Sequence, residues 1–386
     1  MRESFLPFHV PDIGETEVES VANTLRSRWL TTGPMVERFE REFARFVGAK
    51  YAVALNSATA ALHLSLDAIG LRKDDEVVVP TMTFAATAEV VCYFQARLRL
   101  IDCDRCTANI TAESLERALT TKTRAVIPVH FAGHPCDMSS ILQVARQHGL
   151  AVIEDAAHAL PARYNGTTVG VMGDFTCFSF YATKTITTGE GGMVTTNSRE
   201  YEERIRSMSL HGISRDAWKR YAGGGSWYYE IVAPGYKYNM TDVAAAIGVV
   251  QLSRIDEMWK RRCEIARRYT EAFSAVEELD LPSVSREVEH AWHLYIIRLR
   301  LEALRISREE FIGELKARNI GASVHFIPLH FHPYYRQVLA NERRLFPNAD
   351  WIYERCISLP IYPGMIESDV DDVIQAVTDI AKCRRR

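Results

Sequence analysis

At 386 residues the chain is too long for one small core and fits one large domain plus a smaller one. Its composition is that of an ordinary globular protein, 47% hydrophobic and 25% charged, and a net charge of −3 leaves no polybasic footprint for nucleic acid. The uncharged stretches 125–136 and 243–253 fall well short of the roughly 20 residues a membrane helix needs, and a start carrying Arg2, Glu3, Pro7 and Pro11 does not read as a secretory signal.

In chain order, 34–47 is the first clear amphipathic helix. Val36, Phe39, Phe43, Phe46 and Val47 share one face, with Glu37, Arg38, Arg41 and Glu42 opposite. From about 48 to 200, short β-rich runs (51–55, 76–79, 98–101, 125–129, 151–154) alternate with helical stretches (59–69, 114–119, 138–148). Such alternation predicts an α/β fold, a mostly parallel sheet covered by helices on both faces. Strand signals recur at 175–180 and 192–196, and 241–273 reads as one long helix or two. Beyond Pro282 a smaller α+β unit begins, with a strand at 292–299 and helices at 308–318 and 369–381. The resulting division is an N-terminal arm 1–33, a large domain 34–275 and a small domain 276–386.

Eight cysteines, several within apolar runs, read as reduced core thiols of a cytoplasmic protein. Cys103 and Cys106 form a lone C-x-x-C without a second pair, so a turn after the strand 98–101 is expected rather than a metal site. In HFIPLHFH, Pro328 and Pro333 break any helix between His325, His330 and His332, which predicts a pocket-lining loop and no metal. The basic end, Arg384, Arg385 and Arg386, reads as a solvated tail.

Three features fall at the carboxyl ends of large-domain strands, where open α/β sheets bind ligands. In AVALNSATAALHLSL, a strand runs into Asn56, Ser57, Ala58 and Thr59 as a helix begins. Free backbone N–H groups there would hold a phosphate, although Ser and Thr are also ordinary helix caps. In AVIEDAAHA, Asp155 ends an apolar strand. A buried carboxylate needs a partner, and a protonated pyridine nitrogen is one; capping the next helix is another use. His158 lies three residues on and would face the same place if the segment turns helically. In DFTCFSFYATKTITTGEGGMVTT, Lys184 follows an aromatic strand. Enclosure would lower the affinity of its ammonium for a proton and allow it to add to an aldehyde. Ser179, five residues earlier, carries a hydroxyl within reach of a phosphate.

With these motifs the chain resembles the DegT/StrS-type sugar aminotransferases, within the fold-type I pyridoxal phosphate enzymes. The likeness runs along essentially the whole chain, through RWLTTGPMVERFE, NSATAALHLSL, PTMTFAATAEV, IPVHFAGHPCDM, VIEDAAHA, FSFYATKTITTGEGGMVTTN, PGYKYNMTDVAAAIG, HLYIIRL and ISLPIYPGM. Within the family it is most similar to the UDP-4-amino-4-deoxy-L-arabinose–oxoglutarate aminotransferases, through RWLTTGP, GYKYNMTD and AWHLYIIR.

The resemblance implies pyridoxal 5'-phosphate as cofactor, with Lys184 as the Schiff-base lysine and Asp155 as partner of the pyridine nitrogen. It places His158 near the ring's phenolic oxygen, Ala58 (through its N–H), Thr59 and Ser179 at the phosphate, and Phe84 stacked on the ring. It further implies a homodimer with shared active sites, each phosphate met by Asn239 of the other subunit. The GYKYN segment differs from the common GYNYR, so either Lys237 or Asn239 is the residue that crosses. Substrate contacts are expected near Thr31 and Thr32, in the 227–229 loop and along 325–332.

The implied reaction moves an amino group from L-glutamate to a nucleotide-linked keto-sugar, a UDP-4-keto-sugar by the finer likeness, as in amino-sugar and lipopolysaccharide biosynthesis. The Lys184 amine, displaced by the donor, would act as base and then acid. A sugar dehydratase on the same fold is the rival enzyme reading. Relatives of that branch carry His at the lysine position, which disfavours it here. A non-catalytic regulator is the third reading, disfavoured by the intact set of Lys184, Asp155 and Ser179.

Overall fold

The computed structural model describes residues 2–213, 228–339 and 345–386. The chain opens with α1 (Glu15–Ser27) and α2 (Pro34–Val47). Helix α2 starts with proline in its first turn and stops where Gly48 takes φ +83°, the left-handed geometry that ends a helix cheaply only at glycine. Then follow β1 (Tyr51–Leu55), α3 (Ala58–Ala68), β2 (Glu76–Pro80), α4 (Ala85–Tyr93), β3 (Arg97–Ile101), α5 (Ala112–Ala118), β4 (Thr123–Val126), α6 (Met138–His148) and β5 (Ala151–Asp155). A short hairpin, β6 (Arg163–Tyr164) and β7 (Thr167–Thr168), leads to β8 (Phe175–Ser179), β9 (Gly192–Thr196) and α7 (Arg199–Met208).

These strands form a seven-stranded sheet in the order β1-β9-β8-β5-β4-β2-β3. Strand β9 runs antiparallel to both its neighbours, and the remaining pairs are parallel. Side chains alternate between faces: Val77, Val79, Phe175 and Cys177 enter one core, while Val78, Phe178 and Phe180 enter the cores on the other side. The outer edge of β1 is closed by charge. Glu40 accepts from Ala54 N at 2.8 Å, and Arg206, paired with Glu40 at 3.1 Å, donates to the Ala52 carbonyl. That arrangement keeps the edge from pairing with another strand.

Further along come α8 (Asp242–Ser253) and α9 (Ile255–Phe273), two helices meeting at Arg254. They are followed by β10 (Leu279–Asp280), β11 (Val288–Glu289), β12 (Tyr295–Leu299), α10 (Arg308–Ala317), α11 (Pro333–Val338), α12 (Pro347–Arg355), β13 (Cys356–Leu359) and α13 (Glu367–Cys383). An antiparallel sheet, β10-β12-β13, carries a second core around Tyr269, Tyr295, Ile297, Phe311 and Val377.

The N-terminal segment touches both cores. Leu6 is buried in the second one, and Gly321 N donates to its carbonyl at 2.8 Å. A few residues later Asp12 and Glu17 pair with Arg254, and α1 packs on α8. The arm is therefore strapped across the region between the two sheets.

The C-terminal arginines are not a free tail. Arg384 pairs with Glu314 at 2.6 Å, while Arg386 donates its N–H to Ala303 O and its Nε–H to Leu304 O. The three arginines are exposed to solvent, as composition suggests, and local carbonyls and a facing glutamate also tether them. All eight cysteines are free, and Cys103 is buried while Cys106 is exposed. Their C-x-x-C is a turn built on Asp104, whose Oδ1 accepts from the N–H groups of Cys106 and Thr107.

Candidate functional site

Strand register builds the site. Leu55 at the end of β1 faces Gly192, and Gly192 faces Ser179 at the end of β8. One strand further in, Asp155 pairs with Cys177. The carboxyl ends of β1, β8 and β5 and the start of the antiparallel β9 thus form one row.

Helix α3 leaves that row at once. Ser57 caps it, accepting from Ala60 N at 3.1 Å through Oγ and from Ala61 N at 3.2 Å through its carbonyl. The Ala58 and Thr59 amides are left over by this cap and have no acceptor among the described residues. A helix N-terminus of this kind attracts an anion through its unpaired N–H groups and its dipole. Gly192 makes the close approach possible, since a Cβ there would sit 2.6 Å from Ala58 N. The Ser179 side chain is half-buried, and among the described residues its Oγ has only a long 3.4 Å contact from Tyr181 N.

Asp155 is buried, with 6% of its surface exposed. Its Oδ2 accepts from Thr87 Oγ1 at 2.7 Å and its Oδ1 from Ala157 N at 3.1 Å. Burial raises its proton affinity above the ordinary 3.8, against the lowering effect of these two donors, Lys184 and His130. Two donors leave lone pairs of an anionic carboxylate unused.

Lys184 follows β8 in a turn closed by its own N–H donating to Tyr181 O at 2.9 Å. No described residue accepts a hydrogen bond from its Nζ. Burial pushes the ammonium down to about 8, and the charge of Asp155 works in the opposite direction. An amine so placed is deprotonated in a useful fraction near neutral pH, as a nucleophile and general base must be.

His158 is buried, and its Nδ1 has no hydrogen-bond partner among the described residues. Burial first, then Lys184 and His325, hold its proton affinity well below 6.5, so the ring is neutral. It lies 4.3 Å from the His293 ring and stacks on Phe326 at 5.7 Å. Phe326 in turn approaches Phe84 at 6.0 Å. Phe84 caps α4 and is 63% exposed, an unusual state for a phenyl ring beside a polar cleft.

Asn239 lies beside this row through its backbone, which bridges Leu55 at the end of β1, but its side chain is engaged elsewhere. It sits with Thr31, Thr32 and Lys237 along a separate groove of about 1190 Å³ that Lys184, Asp155 and Ser179 do not line. Its Nδ2 donates to Thr32 Oγ1 at 2.7 Å, and its Oδ1 accepts from Lys237 Nζ at 2.7 Å. Of the 227–229 loop, Trp227 lies outside the described residues. In the HFIPLHFH segment the histidines part company. His325 bonds Ser358 and stacks with Phe8 near the site, whereas His330 bridges Thr81 and Asp350.

Several residues that the sequence reading did not single out belong to this region. Thr83 and Thr87 back Asp155. His293 lies against His158, and His9 of the arm is pushed down to about 3 by burial and by Arg262. The two threonines stand at i, i+4, a spacing that gains meaning only through the hydrogen bond from Thr87 to Asp155 at the end of β5.

Comparison with known proteins places this geometry in context. The sequence pattern of the DegT/DnrJ/EryC1/StrS aminotransferase family matches residues 11–378. The chain is 54% identical over 385 residues to the uncharacterized protein MJ1066 of Methanocaldococcus jannaschii, covering 100% of both. It is 51% identical to the spore coat polysaccharide biosynthesis protein SpsC of Bacillus subtilis, over 99% of this chain and 98% of that one. Among solved structures, the pyridoxal phosphate form of Spr1654 from Streptococcus pneumoniae, assigned as a sugar aminotransferase, superposes with a TM-score of 0.91 at 34% identity. The match covers 98% of this chain and 99% of that one. Fold type I of the pyridoxal phosphate enzymes is thus the architecture of this chain.

Proposed function

We propose, on the premise that the chain belongs to the DegT/DnrJ/EryC1/StrS aminotransferase family and is a pyridoxal-phosphate-dependent sugar aminotransferase, that it carries an amino group from L-glutamate to a nucleotide-linked keto-sugar. A UDP-4-keto-sugar is the acceptor we favour, with 2-oxoglutarate and an amino-sugar nucleotide as products. The observation that carries the reading is the row of strand ends that brings a depressed lysine amine, a buried carboxylate with spare lone pairs and an unpaired helix N-terminus together.

The residues present fit the cofactor. Ala58 and Thr59 N–H with Ser179 Oγ would receive the phosphate, and Gly192 keeps that cradle free of a side chain. The unused lone pairs of Asp155 suit a protonated ring nitrogen, the orphaned Nδ1 of His158 suits a phenolic oxygen, and exposed Phe84 suits a ring face. When bound, pyridoxal phosphate supplies the electron sink that lets an amino acid lose its α-proton.

Everything else falls to this chain's side chains. Lys184 would hold the cofactor, and its amine, lowered to about 8 by burial, would serve as the base that takes the donor's α-proton and as the acid that gives it back. Asp155, ionised, would pair with the ring nitrogen and favour its protonated form. Neutral His158 would meet the phenolic oxygen without adding a competing cation. Phe84, in contact with Phe326, would offer a ring face to the cofactor.

We further propose a three-part chain (arm 1–33, large domain 34–275, small domain 276–386) that works as a cytoplasmic homodimer. Its eight free thiols suit a reducing compartment. The position of Asn239 and Lys237 away from their own Lys184 suits a role toward the other subunit's site.

The test is a pair of half-reactions. Lys184→Ala should abolish amino transfer and the cofactor's protein-bound absorbance. The aminated enzyme, mixed with UDP-, GDP- and dTDP-keto-sugars, should be discharged fastest by a UDP-4-keto-sugar. Turnover of a keto-sugar without any amino donor would instead identify a dehydratase.

A further inference from the structure

Behind Asp155 stands a short chain of hydroxyls. Thr83 and Thr87 are both buried, at 2% and 0% exposure, so water does not compete for their protons. Their Oγ1 atoms lie 2.7 Å apart, and Thr87 Oγ1 lies 2.7 Å from Asp155 Oδ2.

Each hydroxyl has one proton, and an ionised carboxylate only accepts. The Thr87 proton therefore goes to Asp155, and the Thr83 proton goes to Thr87. The polarity of the chain is fixed as Thr83 to Thr87 to Asp155. A threonine inside a helix ordinarily returns its proton to the carbonyl one turn back; Thr87, in the first turn of α4, spends it on Asp155 instead.

The segment that carries Thr83 is itself anchored. Thr81 Oγ1 bonds His330 Nδ1 at 2.7 Å, His330 Nε2 bonds Asp350 at 2.8 Å, and Leu329 N donates to Thr81 O at 2.9 Å. Thr81, Thr83 and Phe84 thus leave β2 on a loop clamped from the other side.

The choice of hydroxyls has a chemical consequence. An arginine or protonated histidine behind Asp155 would also favour the carboxylate, but its charge would repel a cationic ring nitrogen. A neutral donor stabilises the anion and leaves the nitrogen's proton undisturbed. We infer that Thr87, oriented by Thr83, is a positioning residue for Asp155, keeping the carboxylate ionised and turned so that its free lone pairs meet the cofactor's ring nitrogen. The inference rests on the assignment of Asp155 to that nitrogen.

The test uses holoenzyme loaded with pyridoxal phosphate labelled with 15N in the ring, comparing wild type with Thr87→Val, Thr87→Ser, Thr83→Val and Asp155→Asn. Nitrogen protonation is followed against pH, and cofactor dissociation is measured alongside. Thr87→Val, nearly isosteric, should lower the pH at which the nitrogen loses its proton by about one unit and weaken cofactor binding roughly tenfold, the range for a lost hydrogen bond to a charged group. Thr87→Ser should restore both, and Thr83→Val should fall between. A Thr87→Val protein that melts earlier with unchanged nitrogen titration, or one that Thr87→Ser does not rescue, overturns the positioning role. If Asp155→Asn also leaves the nitrogen unmoved, the assignment of Asp155 falls with it. If Asp155→Asn moves the nitrogen and Thr87→Val does not, Thr87 alone is wrong.

Discussion

Glu154 and Asp155 are neighbours on one strand, both buried, and they are carboxylates of opposite kinds. Glu154 points to one face of the sheet and takes three donors there. Its Oε1 accepts from Gly173 N at 2.8 Å and Thr176 Oγ1 at 2.7 Å, and its Oε2 from His130 Nε2 at 2.9 Å. His130 Nδ1 accepts from Cys136 N, which fixes the tautomer that donates to Glu154. Asp155 points to the other face with two donors and a proton affinity raised by burial. The chain completes the environment of one carboxylate by itself and leaves the other for something it must bind. A buried charge with unfilled acceptor sites is a better marker of a ligand than burial alone.

The largest contrast should come from Asp155→Asn. Amino transfer from glutamate should fall on the order of 10²-fold or more, measured by single-turnover discharge of the cofactor. The cofactor-free protein should melt no earlier than wild type. The sign follows from burial. Asp155 holds its proton more tightly folded than unfolded, where the ordinary value is 3.8. Its ionisation therefore costs stability that is fully present at neutral pH and relieved as pH falls. Asparagine removes that cost.

Glu154→Gln should do the reverse. Its amide meets donors on every side, so denaturant unfolding should show a loss of about 1–3 kcal/mol, while the folded fraction keeps its half-reaction rate. Equal loss of rate per folded molecule in both variants would erase the distinction.

A subtler effect is expected at Lys184. Its folded value of about 8 lies below the ordinary 10.5, so between the two the unfolded chain carries more protons. Stability of the cofactor-free protein should therefore rise with pH across that window. Lys184→Met should be more stable than wild type below about pH 8, with the advantage fading toward 10.5; melting curves across that range check it. The smallest change should come from Ser179→Ala, a rise in cofactor dissociation of about tenfold or less, read by equilibrium dialysis.

Much of this contrast can be read from residue order. The strands 51–55 and 192–196 appear with the bounds their apolar runs suggest, because turn residues stop them sharply. Asp155 and Lys184 stand out as polar residues ending apolar strands, a local signal. What stayed hidden depends on contacts between distant segments. Helix α4 is largely apolar with no distinct polar face, so it has no periodicity to betray its ends, and Thr87 acquires a role only when it reaches Asp155 at the end of β5. His9 and His293 reach the site from an N-terminal strap and a small-sheet segment that no pattern in the chain links. Glu154 was hidden for a related reason: its three donors come from residues 130, 173 and 176, brought together only by the sheet.

The most direct test of the central claim is to load the protein with pyridoxal phosphate, reduce it with borohydride and map the modified residue by mass spectrometry, before and after incubation with L-glutamate. One phosphopyridoxyl group on Lys184, lost after glutamate and absent from Lys184→Ala, is the predicted result. Attachment to another lysine, or glutamate-dependent transfer persisting in Lys184→Ala, would contradict the account.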